Sequence, residues 1–334
     1  MKSAGGYIAL CIGIIILAVF VSRLDTEAIW AALKEMELAL LCMAVLVSLA
    51  SLFVKAIRWK LLIQKATFTE LPLSTSLAAI YAGVASSSLT PGRLVDFGKP
   101  LIMKGAHQVG ITYSASAIVL ERVLDMLVVA VMFLACLFLM PVASTNRLIQ
   151  GIALPLAVII SLALTAALIG HTWLASVVKH AILKLPIPEK ARESATLAFD
   201  TYYSSMSTWL GIGNFINLTI LSLTAIALEI LRFHLILQSL NLSVSIVGLS
   251  VLFLGSVMVS FMTFVPGGVG VTEVFQTAFF AFLITGSQRH QTAVAAVLVD
   301  RALSYYLVAL IGGLLILWFQ RSSRSAAASE NTDT

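Results

Sequence analysis

Apolar residues run along this chain in long unbroken stretches, separated by short polar and charged segments. Residues 4–22, 38–57, 107–140, 151–170, 211–238 and 290–319 are each predicted to cross a membrane, since about 20 apolar residues span a hydrocarbon core. The runs are continuous rather than alternating, unlike the strands of a membrane β-barrel. Backbone groups in lipid must bond within their own segment, so the six spans are helices. Two further apolar stretches are broken: 71–106 at Pro91-Gly92, and 245–287 at Pro266-Gly267-Gly268. Each predicts a re-entrant hairpin or a pair of spans, and either form returns to the side it left. Residues 171–207 differ again. An amphipathic run from His171 to Leu185 is stopped by Pro186 and Pro188, and a more polar segment follows. It reads as a connector lying on the membrane surface. Small polar residues at 322–334 predict a disordered tail. The expected fold is an all-α polytopic membrane protein, with 1–334 as a single membrane domain.

The pattern occurs twice. Residues 56–64, Ala-Ile-Arg-Trp-Lys-Leu-Leu-Ile-Gln, match 230–238, Ile-Leu-Arg-Phe-His-Leu-Ile-Leu-Gln, which sets Arg58 against Arg232 at an offset of 174. Pro91-Gly92 matches Pro266-Gly267 at 175, and the segment holding Glu121-Arg122 matches that holding Asp300-Arg301 at 179. Three matches in one order define repeat one at 38–140 and repeat two at 211–319. Such halves often flank a substrate path in membrane proteins.

Charge turns the repeat into a geometry. With the N-terminus inside, the inner segments hold thirteen of the basic residues: Lys2, Arg58, Lys60, Lys65, Arg93, Lys99, Lys104, Lys179, Lys184, Lys190, Arg192, Arg321 and Arg324. The outer segments hold four, Arg23, Lys34, Arg147 and Arg289. The positive-inside rule therefore puts both termini in the cytoplasm. The helix ending near Arg58 then runs inward and the one ending near Arg232 runs outward, so the halves form an inverted repeat. Composition agrees with the membrane class: 60% hydrophobic and 11% charged, against about 25% charged in soluble domains. The net charge of +5 lies mostly at segment ends, where topology and anionic lipid explain it without nucleic acid. The first run resembles a secretory signal but lacks a clear cleavage site, so an uncleaved helix is expected.

Several charges remain at membrane depth, where each costs at least about 2.5–3.5 kcal/mol. Arg122 can pair with Asp125, and Glu229 with Arg232, at i, i+3 spacing. Glu121, Asp300 and Glu273 lack a sufficient local partner; Glu121 with Arg301 and Asp300 with Arg122 are candidate pairs across the halves. The broken segments are candidate gates. Pro91-Gly92 precedes Arg93, Asp96 and Lys99, and Pro266-Gly267-Gly268 precedes Gly270 and Glu273. Glycine there permits close approach of backbone to a ligand, although an ordinary interhelical loop is the competing explanation. Trp59 and Phe233 match each other and read as head-group anchors. Cys11, Cys42 and Cys136 sit in apolar runs as packing residues. The histidines lack metal-ligand spacing, so no metal or other cofactor is expected.

These residues resemble a known family. Arg58-Trp59-Lys60-Leu61-Leu62, Pro91-Gly92-Arg93 with Asp96, Glu121-Arg122 with Asp125, and Pro266-Gly267-Gly268 with Gly270 and Glu273 are similar to the flippase-like transmembrane domain of lysylphosphatidylglycerol synthases, over about residues 40–320. The resemblance implies a prokaryotic cytoplasmic-membrane protein that translocates an anionic or phosphate-bearing lipid: a phospholipid, an aminoacyl-phospholipid or a polyprenyl-linked lipid. The bifunctional synthases add a large soluble transferase domain. About fifteen residues follow the last span here, too few for a domain, so lysyl transfer is not expected and the protein reads as a non-enzyme. Arg58, Arg93 and Lys99 are then expected to draw the phosphate in. Glu121, Arg122, Asp300 and Arg301 would line the path, and Arg232 with the 266–270 turn would form the outer gate. The alternatives are an integral membrane enzyme and an assembly factor for lipid or envelope metabolism. The expected partners are membrane lipids, with a second copy or an envelope-biogenesis protein left open. The orientation predicts that green fluorescent protein fused to either terminus fluoresces and alkaline phosphatase fused there stays inactive; the opposite pair of results reverses it.

Overall fold

The computed structural model describes residues 26–88, 96–139, 158, 179–180, 189–262, 266–283 and 287–330. The expected spans 4–22 and 151–170, most of 171–188, and the Pro91-Gly92-Arg93 turn lie outside these residues. Every regular element among the described residues is helical: α1 (Thr26–Lys34), α2 (Leu38–Thr67), α3 (Leu73–Ser87), α4 (Gly98–His107), α5 (Ile111–Leu139), α6 (Glu189–Trp209), α7 (Ile212–Ser239), α8 (Ile246–Met262), α9 (Val271–Leu283), α10 (Ser287–Arg301) and α11 (Leu307–Glu330). A 3-10 turn at Pro266–Gly268 joins α8 to α9, and a π-helical turn at Ala302–Tyr306 joins α10 to α11.

Among the described residues, four stretches are long and apolar enough to cross a membrane: Leu38–Thr67, Ile111–Leu139, Ile212–Ser239 and Gln291–Phe319. At 1.5 Å per residue they reach about 42–45 Å, more than the hydrocarbon core of about 30 Å. The chain is thus a multi-pass membrane protein. Its surface fits that solvent. Leu307, Leu310, Leu314, Leu317 and Trp318 are exposed along one face of α11, and Ile212, Ile216, Ile220 and Leu223 along one face of α7. Steps of three and four residues keep each set in a single stripe.

The most extensive helix–helix packing among the described residues is between α2 and α7, which lie antiparallel. The Glu37 N–H at the start of α2 donates to the Ser239 carbonyl at the end of α7, 2.9 Å away. Midway, Ser51 Oγ donates to the Ala225 carbonyl at 3.4 Å. Toward the far end, Trp209 Nε1, just before α7, donates to the Leu62 carbonyl at 2.9 Å. Charge does not end α2 near residue 57; Arg58 and Trp59 turn inward and the helix continues to Thr67. It stops where Phe68 takes φ 55° and returns its N–H to the Gln64 carbonyl.

Two apolar clusters flank this seam. One joins Leu52, Trp59, Ile63, Ile102, Leu120 and Trp209. The other joins Phe233, Leu252, Phe253, Phe280 and Val297 with Phe133 of α5. Trp59 and Phe233 are fully buried in them, which corrects their reading as head-group anchors. The Phe233 ring meets Phe253 and Phe280 edge-on, with centroids 6.4 and 5.9 Å away. The favourable edge-to-face geometry explains why aromatic residues suit these interior positions. The last helix also departs from expectation. It continues to Glu330, over most of the stretch predicted as disordered, and its Ala326-Ala327-Ala328 run has the highest helix propensity available.

Helix α11 packs on α3 backbone to backbone. A Cβ at Gly312 would fall 1.9 Å from the Tyr81 carbonyl oxygen, while one at Gly313 would meet nothing within 4 Å. Gly312→Ala is therefore expected to destabilise by about 1–3 kcal/mol through overpacking. Gly313→Ala should leave stability unchanged or raise it by up to about 1 kcal/mol, since alanine is the better helix former. Thermal unfolding of the two detergent-solubilised variants distinguishes them, and equal melting temperatures would contradict the close approach.

Candidate functional site

Helix α5 places Glu121 and Asp125 one turn apart on a single face, and Arg58 of α2 reaches both. Arg58 Nη2 lies 2.6 Å from Glu121 Oε1 and 3.1 Å from Asp125 Oδ2, and Nη1 grips Asp125 Oδ1. The same Nη1 donates to Ser222 Oγ of α7 at 2.6 Å. The planar fork of arginine suits this double grip in a way lysine could not. The other oxygen of Glu121 accepts from Lys99 Nζ of α4 at 2.6 Å. Lys99 Nζ also sits 3.3 Å from Asp96 Oδ2 and 4.7 Å above the Trp59 ring. Asp96 Oδ1 accepts from Ser86 Oγ at 3.1 Å, and Ser86 Oγ accepts from the Gly98 N–H at 2.9 Å. Arg122 points away from Glu121 and stands 3.9 Å from Asp96.

The second half builds a similar cluster. Arg232 Nε of α7 donates to Asp300 Oδ1 of α10 at 2.8 Å. Arg301 Nε donates to Glu273 Oε1 of α9 at 2.7 Å, and the Tyr306 hydroxyl donates to the same oxygen at 2.8 Å. The Gly270 N–H holds Glu273 Oε2 at 2.8 Å. Arg301 also packs over the Tyr305 ring, 4.5 Å from its centroid. The glycine turn is required by geometry. Gly267 and Gly268 take φ 64° and 65°, and a Cβ on Gly267 would lie 1.6 Å from the Tyr305 hydroxyl. Lys55 of α2 and Glu229 of α7 form an ion pair between the two clusters.

A cavity of 160 Å3 opens between the halves. Lys55, Arg122, Arg232 and Arg301 line it, with the two carboxylates Glu229 and Asp300. Four cations facing two acids make a wall suited to an anion. Among the described residues no three His, Cys, Asp or Glu side chains are grouped to hold a metal ion.

The structure thus gathers Arg58, Asp96, Lys99, Glu121, Arg122 and Asp125 in one cluster, and Arg232, Glu273, Asp300 and Arg301 in the other. Four expected pairings are replaced among the described residues. Asp125 pairs with Arg58 rather than Arg122, and Arg232 with Asp300 rather than Glu229. Glu121 and Asp300 pair within their own halves rather than with Arg301 and Arg122. The physical reason is common to all. In each case packing sets a cation from a neighbouring helix of the same half beside the acid. Of the expected path residues, Arg122, Asp300, Arg301 and Arg232 line the cavity; Arg58, Lys99 and Glu121 stand outside its lining. Sequence reasoning missed Lys55 with Glu229, although they occupy matched positions at the offset of 174 with opposite charge. It also missed the polar cavity residues Ser256, Thr272 and Gln276, whose signal was i, i+4 spacing of Thr272 and Gln276 in an apolar helix. Breaking a buried pair costs about 3–5 kcal/mol. Glu121→Ala and Asp300→Ala are therefore expected to destabilise by that amount in denaturant titrations. Glu229→Ala should cost less, because its pair is partly exposed.

The chain matches the lysylphosphatidylglycerol synthase TM region over residues 6–312. It is 24% identical over 327 residues to a UPF0104 membrane protein of Pyrococcus horikoshii, covering 93% of this chain and 96% of that one. Two UPF0104 membrane proteins of Methanothermobacter thermautotrophicus are 22% and 24% identical, over 94% and 95% of this chain and 93% and 96% of theirs. The family match covers most of the chain and agrees with its long apolar helices. The chain, a multi-pass membrane protein of lipid metabolism or translocation, belongs to the lysylphosphatidylglycerol synthase TM region family.

Proposed function

We propose that the protein is a lipid translocator of the cytoplasmic membrane, moving an anionic or phosphate-bearing lipid between leaflets. The observation that carries this reading is the cation-lined cavity at the junction of two halves whose outer faces are apolar. A head group would enter the polar space while its tails stay in lipid. Arg122 is the cation best placed to meet a phosphate. It lines the cavity, its contact with Asp96 is 3.9 Å long, and among the described residues its Nε lacks a hydrogen-bond partner. Arg58 and Lys99, by contrast, are committed to buried carboxylates.

The same proposal takes the halves as an inverted repeat with six spans, two re-entrant segments and cytoplasmic termini. Two features favour it. Arg58–Glu121 in the first half and Arg232–Asp300 in the second are ion pairs built from matched residues. Ser51 touches Ala225, its counterpart at offset 174, on helices that run antiparallel. Contact between equivalent positions is what a two-fold axis crossing both helices requires, by the logic of self-complementary interfaces. Rocking one half against the other would expose the cavity to each side in turn. Catalysis forms no part of this reading, since both acids that line the cavity are engaged by cations.

Liposomes carrying the protein and a head-group-accessible fluorescent phosphatidylglycerol test it. Dithionite quenching should proceed past the outer leaflet with the wild type. Arg122→Ala should slow the inner-leaflet phase about tenfold, the effect expected from losing one charge-assisted contact. Equal quenching by wild type, variant and protein-free liposomes would sink the translocator reading.

A further inference from the structure

The cavity has a second wall that carries no charge, and its hydrogen-bonding state is unbalanced. Ser256 and Ser260 of α8 form this wall together with Thr272 and Gln276 of α9. Gln276 is 1% exposed and Thr272 6% exposed. Ser256 Oγ donates its proton to the Phe253 carbonyl at 2.7 Å, so it meets Gln276 as an acceptor. The Gln276 amide nitrogen must therefore be the end that faces Ser256, at 3.0 Å. That orientation leaves Gln276 Oε1, a buried acceptor, without a partner, and Thr272 Oγ1 is unpartnered beside it. Buried polar atoms of this kind cost about 1–3 kcal/mol each unless something satisfies them. An acceptor calls for a donor.

The charged wall makes a different demand. Its cations face the cavity; of the acids, Glu229 and Asp300 in the lining are engaged by Lys55 and Arg232, while Glu273 and Asp96, which help to balance Arg301 and Arg122, stand outside it. An ammonium group placed here would meet guanidinium groups at close range. The aromatic face that could hold it otherwise, Tyr305, is already covered by Arg301. A space of 160 Å3 holds at least about five waters at roughly 30 Å3 each, enough for a phosphate with a few carbons.

We infer that the cavity recognises a small polyol phosphodiester head group, with the phosphate toward Arg122 and hydroxyl donors on Gln276 and Thr272. It selects against aminoacylated and quaternary-ammonium head groups. This deepens the translocator reading and rests on it for the lipid source; the head-group chemistry stands on the cavity alone.

Equilibrium binding to the detergent-solubilised full chain, by titration calorimetry with short-chain lipids, tests the assignment. Phosphatidylglycerol should bind about tenfold more tightly than phosphatidylethanol, which has the same phosphodiester charge and no hydroxyl, because one buried acceptor is then left unmet. Lysyl-phosphatidylglycerol and phosphatidylcholine should bind more weakly still. Gln276→Leu should narrow the ratio between phosphatidylglycerol and phosphatidylethanol toward one, and Arg122→Gln should weaken both. Lysyl-phosphatidylglycerol binding as tightly as phosphatidylglycerol would overturn the selectivity, and so would an unchanged ratio in Gln276→Leu. Free glycerol 3-phosphate binding as tightly as the lipid would overturn the lipid assignment. If this order of affinities held while liposome flipping failed, only the transport reading would fall; flipping with the order reversed would remove only the head-group assignment.

Discussion

Arg58 is the interaction on which the arrangement depends. A guanidinium held among apolar helices is tolerable only if its charge and donors are met where it sits, because removing one partner of a buried pair leaves an uncompensated charge. Arg58 meets Glu121 and Asp125 of α5 and Ser222 of α7. Through Glu121 it is linked to Lys99 of α4, and through Lys99 to Asp96. Four helical segments are thereby tied to one side chain. The second half follows the same rule with Arg232, Asp300, Arg301 and Glu273. Apolar contacts cannot fix such an arrangement alone. Lipid tails are as apolar as the helix surfaces, so packing, hydrogen bonds and ion pairs must supply the specificity.

This constraint also shapes the cavity. Most acids of the two clusters are used up in holding helices together, behind the wall. The cations Arg122, Arg232 and Arg301 are left with one side toward the open space. Structure and polarity are therefore set by the same residues. A fixed array of donors facing a small, partly enclosed space interacts with an anion more strongly than it would in bulk water, because the surrounding dielectric is lower. The neutral wall of Ser256, Thr272 and Gln276 then adds direction to what would otherwise be a charge-only site.

Much of this was legible along the chain, and the failures share a cause. Length and hydropathy located α2, α5, α7 and the helix through α10, since those signals are local. The matched Arg58 and Arg232, and the acid-Arg steps at 121–122 and 300–301, marked the two clusters before any contact was known. Partner choice was not legible. Arg122 and Asp125 are neighbours on one helix, yet Asp125 turns to Arg58, because the decision lies with which groups are buried together. Trp59 carried the sequence signature of an interfacial aromatic and lies in the core, where the Lys99 ammonium sits over its ring. Gln276 gave only a faint sign: an amide four residues after Thr272 in an apolar helix acquires meaning only when α8 places Ser256 opposite it.

The π-helical turn at Ala302–Tyr306 separates two obligations of one long rod. Before it, α10 must aim Asp300 and Arg301 at the cavity; after it, α11 must aim Gly312 at Tyr81 of α3 and its leucines at lipid. A regular helix advances about 100° per residue, and a wider turn takes up extra chain without a break in the rod. The turn acts as a phase shifter, letting the angle of the charged end and the angle of the docking end be set independently. Evolution could then retune either end by substitution alone, without moving the other.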